Sequence, residues 1–124
     1  MAGRIPQKRG TLAEKWVAAQ LIKAGYTIEA TNRRLGGGEI DIICLDGPVL
    51  VFLEVKSRSR NQYGLPEEAV DQHKRARLIN AATAYLAQRE GPVPLCRFDV
   101  AAVQMEQGRP QALRLIKDAF RPGD

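Results

Sequence analysis

The sequence has little cysteine and histidine, which disfavours disulfide-rich and zinc-binding proteins. Its 124 residues include two cysteines and one histidine, a composition that does not favour a disulfide framework or a zinc site. Cys44 and Cys96 each stand in an apolar, strand-like run, so both are predicted to be buried small hydrophobic residues. His73 has no second histidine or cysteine near it in the sequence, and no chemistry is assigned to it.

Long hydrophobic runs, internal repeats and low-complexity segments are also missing. No apolar run approaches the length of a membrane span, and the charged N-terminus is not followed by the apolar stretch of a signal peptide. We therefore expect a cytoplasmic protein without membrane contact. With 44% hydrophobic and 27% charged residues, residues 1–124 are expected to form a single domain, with a mobile arm over 1–10 and a tail over 118–124.

Basic residues outnumber acidic residues, and many of them stand beside one segment of the chain. The formal net charge is +5 and the pI is near 9.6, which suits a polyanionic partner such as DNA. The candidates for phosphate contacts are Arg33, Arg34, Arg58 and Arg60, but these residues could equally form a solvated surface. Aromatic residues make up 6% of the chain and few stand near these arginines, so base stacking on single strands has little support.

The segment that these arginines flank, from Gly36 to Lys56, carries charges inside apolar runs. Two such runs, joined by a turn at residues 46–48, predict a β-hairpin. Asp41, Glu54 and Lys56 lie within its strands, where an unpaired charge is costly to bury. Directly opposed residues share a face of the hairpin. Asp41 and Glu54 therefore lie on the same face only if the two residue numbers of each cross-strand pair sum to an odd number. A loop of two or four residues gives such a register.

The periodicity of the whole chain predicts an α/β protein with the element order α-β-β-β-α-β. Thr11 and Glu14 have the spacing of a capping box, and the helix that starts there is expected to end at about Ala24. The remaining predictions, in chain order, are strands over 26–31, 39–45 and 49–57, a helix from Pro66 to about Arg89, a strand over 95–103 and a candidate strand over 111–116.

Two further charged residues stand on helical faces that are otherwise apolar. Glu14 falls among Val17, Leu21 and other apolar residues on a helical wheel. It could be a capping residue or a member of a site, and the helix alone favours the cap. Lys74 interrupts the apolar stripe of the second helix, where it could either extend to water along the apolar surface or have a functional role.

Asp41 and Glu54 would repel each other if they lay side by side, unless a cation lay between them. The candidate ligands are all oxygens, from Asp41, Glu54, the Val55 carbonyl group and Glu14, and oxygen ligands favour Mg²⁺ or Mn²⁺ over zinc. Lys56 would then help to deprotonate an attacking water or neutralise charge in the transition state of phosphodiester hydrolysis. Alternatively, Glu39, Glu54 and Lys56 are solvent-facing strand residues that only form cross-strand ion pairs.

Several motifs together closely resemble the bacterial YraN family of predicted endonucleases. They are Glu14, Gly-Glu-Ile-Asp-Ile-Ile at 38–43, Val-Phe-Leu-Glu-Val-Lys-Ser-Arg at 51–58, Lys74, and Arg-Phe-Asp-Val at 97–100. That family is similar to archaeal Holliday-junction resolvases and to the wider PD-(D/E)xK nuclease superfamily. The resemblance implies a restriction-endonuclease-like core, in which a central mixed sheet is flanked by helices.

The resemblance also implies roles for individual residues. Asp41 and Glu54 would bind the metal, Lys56 would be the catalytic lysine, Glu14 would match the acidic residue of the superfamily's first helix, and Lys74 would lie near the scissile phosphate. The expected function is a Mg²⁺- or Mn²⁺-dependent DNA endonuclease for branched or damaged DNA, and symmetric cutting by resolvases suggests a homodimer. The alternatives are a non-catalytic nucleic-acid-binding protein that keeps the fold and a small structural adaptor.

Overall fold

Two helices and five strands make up residues 11–59 and 70–123, which are the residues that the structure, a computed structural model, describes. In chain order the elements are α1 (Leu12–Lys23), β1 (Thr27–Leu35), β2 (Gly38–Asp46), β3 (Val49–Ser59), α2 (Gln72–Gln88), β4 (Cys96–Glu106) and β5 (Arg109–Phe120). The predicted arm over 1–10, Arg60 and the predicted helix start at Pro66 lie outside the described residues.

The five strands form one mixed sheet in the order β1-β2-β3-β4-β5. The pairing of β3 with β4 is parallel, and the other three pairings are antiparallel. Parallel neighbours need a crossover connection, and the segment that contains α2 supplies it. The predicted α/β class, with a central mixed sheet flanked by helices, is confirmed. The candidate last strand is a full member of the sheet.

A hydrophobic layer covers each face of the sheet, because neighbouring strand residues point to opposite sides. We call the side packed under α1 the α1 face; its layer includes Val17, Leu21, Ile42, Cys44, Val51, Leu53, Ala101 and Val103. The side packed under α2 is the α2 face, and its layer includes Ile43, Leu50, Phe52, Leu78, Ala81, Phe98 and Val100. The nearly continuous apolar runs in β2 and β3 follow from burial on both faces. Neither described helix is long and apolar enough to cross a membrane.

The last strand extends further than the sequence predicted. β5 continues to Phe120, which is 3% exposed and stacks on Phe98 with the ring centroids 4.9 Å apart. The side chain of Asp99 also accepts a hydrogen bond from the Asp118 amide at 2.9 Å. Residues 118–120 therefore belong to the sheet, and the predicted tail over 118–124 begins too early.

The two cysteines differ in their surroundings, and both are free. Cys44 is buried in the layer of the α1 face, as predicted. The prediction of a buried Cys96 was wrong, because Cys96 is exposed. It is the first residue of β4, and it follows Val93 and Leu95, which are 73% and 76% exposed. The apolar run thus begins outside the core, and burial starts only at Phe98.

The turn between β1 and β2 lies so close to α2 that glycine is required at two positions. A Cβ atom on Gly38 would overlap the backbone carbonyl oxygen of Arg77, and one on Gly36 would lie 2.6 Å from the carbonyl oxygen of Asn80. Gly36 also has a φ of +60°, which favours glycine. This close approach fixes α2 against the start of β2 and thereby places the helix relative to the charged hairpin.

Candidate functional site

The sheet forks between β2 and β3, next to the charged residues of the hairpin. Among the described residues, pairing between these strands ends at Ile42 and Leu53. Beyond that pair, β2 continues along β1 while β3 continues along β4. Asp41 and Glu54 are the next residues on the two arms, so they stand at the base of the fork. An interrupted ladder of this kind leaves room for side chains between the strands.

The register of the hairpin is the one that the site requires. Ile42 pairs with Leu53 and Asp46 pairs with Val49, so the two residue numbers of each pair sum to an odd number. The strands are joined by the two-residue loop Gly47-Pro48, in which Gly47 has a φ of +58°. The register predicted from the sequence is confirmed, and Asp41 and Glu54 are the residues that directly follow the last pair, Ile42 and Leu53.

Asp41 lies where the alternation of side chains along β2 is broken. Ile40 and Ile42 are two residues apart, yet Ile40 packs in the layer of the α2 face and Ile42 in that of the α1 face. The Asp41 carboxylate accepts a hydrogen bond from the Val55 amide at 2.8 Å. Strand amides point towards neighbouring strands, so this carboxylate extends across the fork close to the plane of the sheet. It satisfies an amide that the interrupted β2–β3 ladder does not pair.

Both acidic side chains are buried, and a lysine lies beside one of them. Asp41 and Glu54 are each 5% exposed. The Lys74 Nζ atom lies 2.5 Å from Glu54 Oε2, and the Lys74 side chain is 37% exposed. Lys74 stands in the first turn of α2, where the Asp71 side chain caps the helix by accepting a hydrogen bond from the Lys74 amide at 2.9 Å. The capped helix start therefore carries Lys74 to Glu54.

The second lysine, Lys56, stands two residues after Glu54 on β3 and interacts with the same groups. The pKa of Lys56 is lowered by burial first, and further by the hydrogen bond with Lys74 and by repulsion from the Lys74 ammonium group. Attraction by Glu54 and Asp41 raises this pKa but does not reverse the net shift. Burial also lowers the pKa of Lys74, but its hydrogen bonds to Glu54 and Lys56, together with attraction by Glu54 and Asp41, outweigh burial, so the net shift of this pKa is upward. Two carboxylates and two amines thus form one interacting cluster at the fork.

A cleft of about 390 Å³ opens beside this cluster. The start of β2, the start of α2 and the base of the fork line it with Glu39, Asp41, Glu54, Asp71, His73, Lys74, Arg77 and Leu78. His73 and Arg77 were not predicted as site residues. They stand one helical turn apart beside Lys74, and i, i+4 spacing places them on one side of α2. That spacing was the available signal, but the sequence did not show which side of α2 faces the fork.

Glu14 forms the predicted capping box and lies on the helix of the opposite face. Its Oε1 atom accepts hydrogen bonds from the Thr11 amide at 3.1 Å and from the Asn32 side chain at 2.8 Å. Within residues 11–59 and 70–123, no three Asp, Glu, His or Cys side chains are grouped so as to hold a metal ion. Glu14 as an additional ligand, and the Val55 carbonyl group as another, therefore stay predictions.

The predicted phosphate-binding arginines are spread over the surface. Arg33 donates a hydrogen bond to the Gln88 side chain at 3.3 Å and lies over the Tyr85 ring at 5.8 Å. Both partners stand near the C-terminal end of α2, whereas the cleft is at its N-terminal end. Arg34 is exposed, Arg58 is half-buried on β3, and Arg60 lies outside the described residues. The structure thus does not bring Arg33 into the cleft.

A second polar cluster, which includes two residues of the Arg-Phe-Asp-Val motif, lies at the hairpin end of the sheet. Arg97 donates hydrogen bonds to Asp99 at 2.9 Å and to Asp46 at 3.0 Å, and Tyr26 donates one to Asp46 at 3.3 Å. Asp99 is 1% exposed. Every charge in this group has a partner of opposite sign, which is the pattern of a structural network.

Comparison with known proteins gives a consistent result over most of the chain. The family model described as "Uncharacterised protein family UPF0102" matches residues 13–103. A UPF0102 protein of Symbiobacterium thermophilum is 45% identical over 111 residues, covering 90% of this chain and 94% of its own length. UPF0102 proteins of Moorella thermoacetica and Xanthomonas campestris are 43% and 41% identical, and each match covers more than nine-tenths of both chains. The chain therefore belongs to the UPF0102 family, the same group as the YraN family that its motifs resemble.

Proposed function

We propose that this protein is a Mg²⁺- or Mn²⁺-dependent endonuclease that hydrolyses phosphodiester bonds of DNA in the cytoplasm. The observation that carries the proposal is the convergence of two buried carboxylates, Asp41 and Glu54, and two lysines, Lys56 and Lys74, at a fork in the sheet. Branched or damaged DNA is the substrate that the resemblance to junction resolvases suggests, and a homodimer is the corresponding assembly.

The donor set at the fork fits a hard divalent cation. Mg²⁺ is commonly bound through one or two carboxylates, with water and substrate phosphate in the remaining positions. Asp41 and Glu54 supply two carboxylates. A carboxylate has about four acceptor positions, so the hydrogen bond from the Val55 amide to Asp41 is compatible with metal binding. A Mg²⁺ or Mn²⁺ ion at this place would lower the pKa of an attacking water and polarise a phosphoryl oxygen.

The residues of the chain then have distinct tasks. The amide of Val55 holds the Asp41 carboxylate in the fork, which would fix one ligand before any ion binds. Lys56, whose pKa is lowered by burial and by Lys74, would take a proton from the attacking water or neutralise charge that develops on the phosphate. Lys74, His73 and Arg77 line the cleft and offer donors to the phosphates of the substrate.

A cleavage assay with matched variants tests the proposal. The wild-type protein should cut branched, nicked or single-stranded DNA in Mg²⁺ or Mn²⁺ and not in EDTA. Glu54→Gln and Lys56→Met should each lower the rate by at least about 100-fold, because each removes a group from the reacting centre. Glu90→Gln, which changes an exposed acid in the loop after α2, controls for loss of charge and for contaminating nuclease.

Two outcomes would contradict catalysis at this site. Cleavage that persists unchanged in Glu54→Gln or Lys56→Met would refute it directly. Salt-dependent DNA binding without metal-dependent cleavage of any of these substrates would favour the non-catalytic nucleic-acid-binding protein, since phosphate contacts make affinity fall steeply with salt. A structure with Mn²⁺ should place an ion in contact with Asp41 and Glu54.

A further inference from the structure

The ion pair between Lys74 and Glu54 joins a partly exposed side chain to a buried one. The Glu54 side chain is 6% exposed, and it stands in the sheet at the base of the fork. The Lys74 side chain is 37% exposed and borders the cleft. The cap on α2 uses the backbone amide of Lys74 and the side chain of Asp71, so the start of the helix does not depend on where the ammonium group lies.

Two features of the surroundings oppose the Lys74 ammonium group. The first turn of a helix carries a partial positive charge, which disfavours a cation there, and burial also disfavours the charged form. The ion pair with Glu54, attraction by Asp41 and the hydrogen bond to the Lys56 amine hold the ammonium group in place against them.

A divalent cation bound to Glu54 would compete with this ammonium group for the same carboxylate. Lys74 already offsets negative charge at Glu54, so an ion added beside it would bring two positive groups together in a largely buried place. The least costly response is for the Lys74 side chain to turn into the cleft, where water and the neighbouring His73 and Arg77 positions lie.

We propose that Lys74 is a built-in competitor of the metal, which neutralises Glu54 in the metal-free protein and leaves that carboxylate when a divalent cation binds. The inference rests on the proposed function only in that Asp41 and Glu54 are the metal ligands. Displacement has a second consequence, since the released ammonium group lines the cleft and becomes available to an anionic substrate only after the metal is bound.

Metal binding and stability test the inference without any measurement of activity. Mn²⁺ is titrated calorimetrically into metal-stripped wild type, Lys74→Met and the milder Lys74→Gln. Both variants should bind Mn²⁺ about tenfold more tightly, because a competing cation has been removed. Lys117→Met is the control, since it removes the same charge from a residue that lies 3.7 Å from Asp46 at the hairpin end of the sheet. It should change Mn²⁺ affinity less than twofold.

The thermal response should show the same exchange. Without metal, Lys74→Met should melt at a lower temperature than wild type, because Glu54 has lost its counter-ion. Saturating Mn²⁺ should raise the Tm of the variant more than that of wild type, because ligand-induced stabilisation grows with affinity. An ion pair with a purely structural role predicts no such rescue by Mn²⁺.

The possible failures can be told apart. If wild type binds Mn²⁺ and Lys74→Met binds it equally or less tightly, Lys74 is not a competitor, although the metal site stands. If Glu54→Gln/Lys74→Met binds as tightly as Lys74→Met, the ion is held elsewhere and the inference is wrong. If neither wild type nor Lys74→Met binds Mn²⁺, the metal site of the proposed function fails, and this inference fails with it.

Discussion

The close packing of α2 on the β1–β2 turn makes Gly38→Ala a sharp test of how the site is assembled. A Cβ atom at position 38 would come closer than 3.0 Å to the backbone carbonyl oxygen of Arg77. The backbone of Gly38 is not in the left-handed region, so the cost arises from overlap rather than from a disfavoured φ. A helix backbone cannot move aside as a flexible side chain can, so α2 would have to shift as a body.

The size of the effect follows from this distinction. Overpacking of a filled interior typically costs 1–3 kcal/mol, and contact with the backbone places Gly38→Ala near the upper limit, at about 3 kcal/mol. For a chain of this size that corresponds to a fall in Tm of roughly 10 °C. Gly37→Ala is the matched control, because a Cβ atom there meets nothing within 4 Å while its φ is +78°. Its cost should be only about 1 kcal/mol, from backbone strain.

The assay is urea denaturation of the three proteins, followed by Mn²⁺ titration of those that fold. Gly38→Ala should also change Mn²⁺ affinity, since a shift of α2 moves Lys74 relative to Glu54, whereas Gly37→Ala should leave the affinity unchanged. If Gly38→Ala is no more destabilising than Gly37→Ala, the close approach of α2 neither constrains the fold nor positions Lys74.

Three further predictions concern parts of the fold away from the fork. The hydrogen bond from Arg89 holds the pKa of Glu29 below its ordinary value. This contact therefore contributes stability above about pH 4.5, and that stability is lost as the pH falls through the lowered pKa. In denaturation at several pH values, Glu29→Gln should lower the free energy of unfolding at pH 7 by about 1 kcal/mol and make it depend less on acid pH. A thiol reagent at pH 8 should label Cys96 only, and both thiols in guanidinium, because burial raises the pKa of Cys44 to about 12; equal labelling of both in the native protein would contradict this. Asp99→Ala should cost about 1–3 kcal/mol in chemical denaturation, since it leaves the Asp118 amide without its acceptor and leaves the partly buried Arg97 with Asp46 alone, and a cost well below about 1 kcal/mol would show that the network is dispensable.

The features of the fold that depend on neighbouring residues were predictable from the sequence. The capping box at Thr11 is local, and the register of the hairpin follows from its short loop. The order of the elements follows from periodicity. The exposure of Cys96 was not predictable in this way, because an apolar run in the sequence does not show where the helices stop covering the sheet.

The cleft depends on contacts between elements that are distant in the chain, and its composition could be predicted only in part. Lys74 was recognised because it interrupts an apolar stripe, but His73 and Arg77 occupy positions where charge is ordinary. Arg33 was expected to bind phosphate from its place beside the hairpin. Its actual partners, Tyr85 and Gln88, are more than fifty residues away, and no local pattern indicates them.

The fork shows how one side chain can meet a requirement of the sheet and a requirement of the site together. Where the β2–β3 ladder ends, the Asp41 carboxylate takes the place of a backbone carbonyl as acceptor for the Val55 amide. A carbonyl group would satisfy that amide but would bring no charge to the two lysines.

The two tasks of the Asp41 carboxylate, pairing the amide and supplying charge to the site, should therefore separate on mutation. Asp41→Asn keeps an acceptor oxygen, so the free energy of unfolding should fall by less than about 1 kcal/mol while Mn²⁺ binding is lost. Asp41→Ala should lose both, with a further cost of about 1–3 kcal/mol for the unpaired amide. Equal stability of the two variants in urea denaturation would show that the carboxylate serves the site alone.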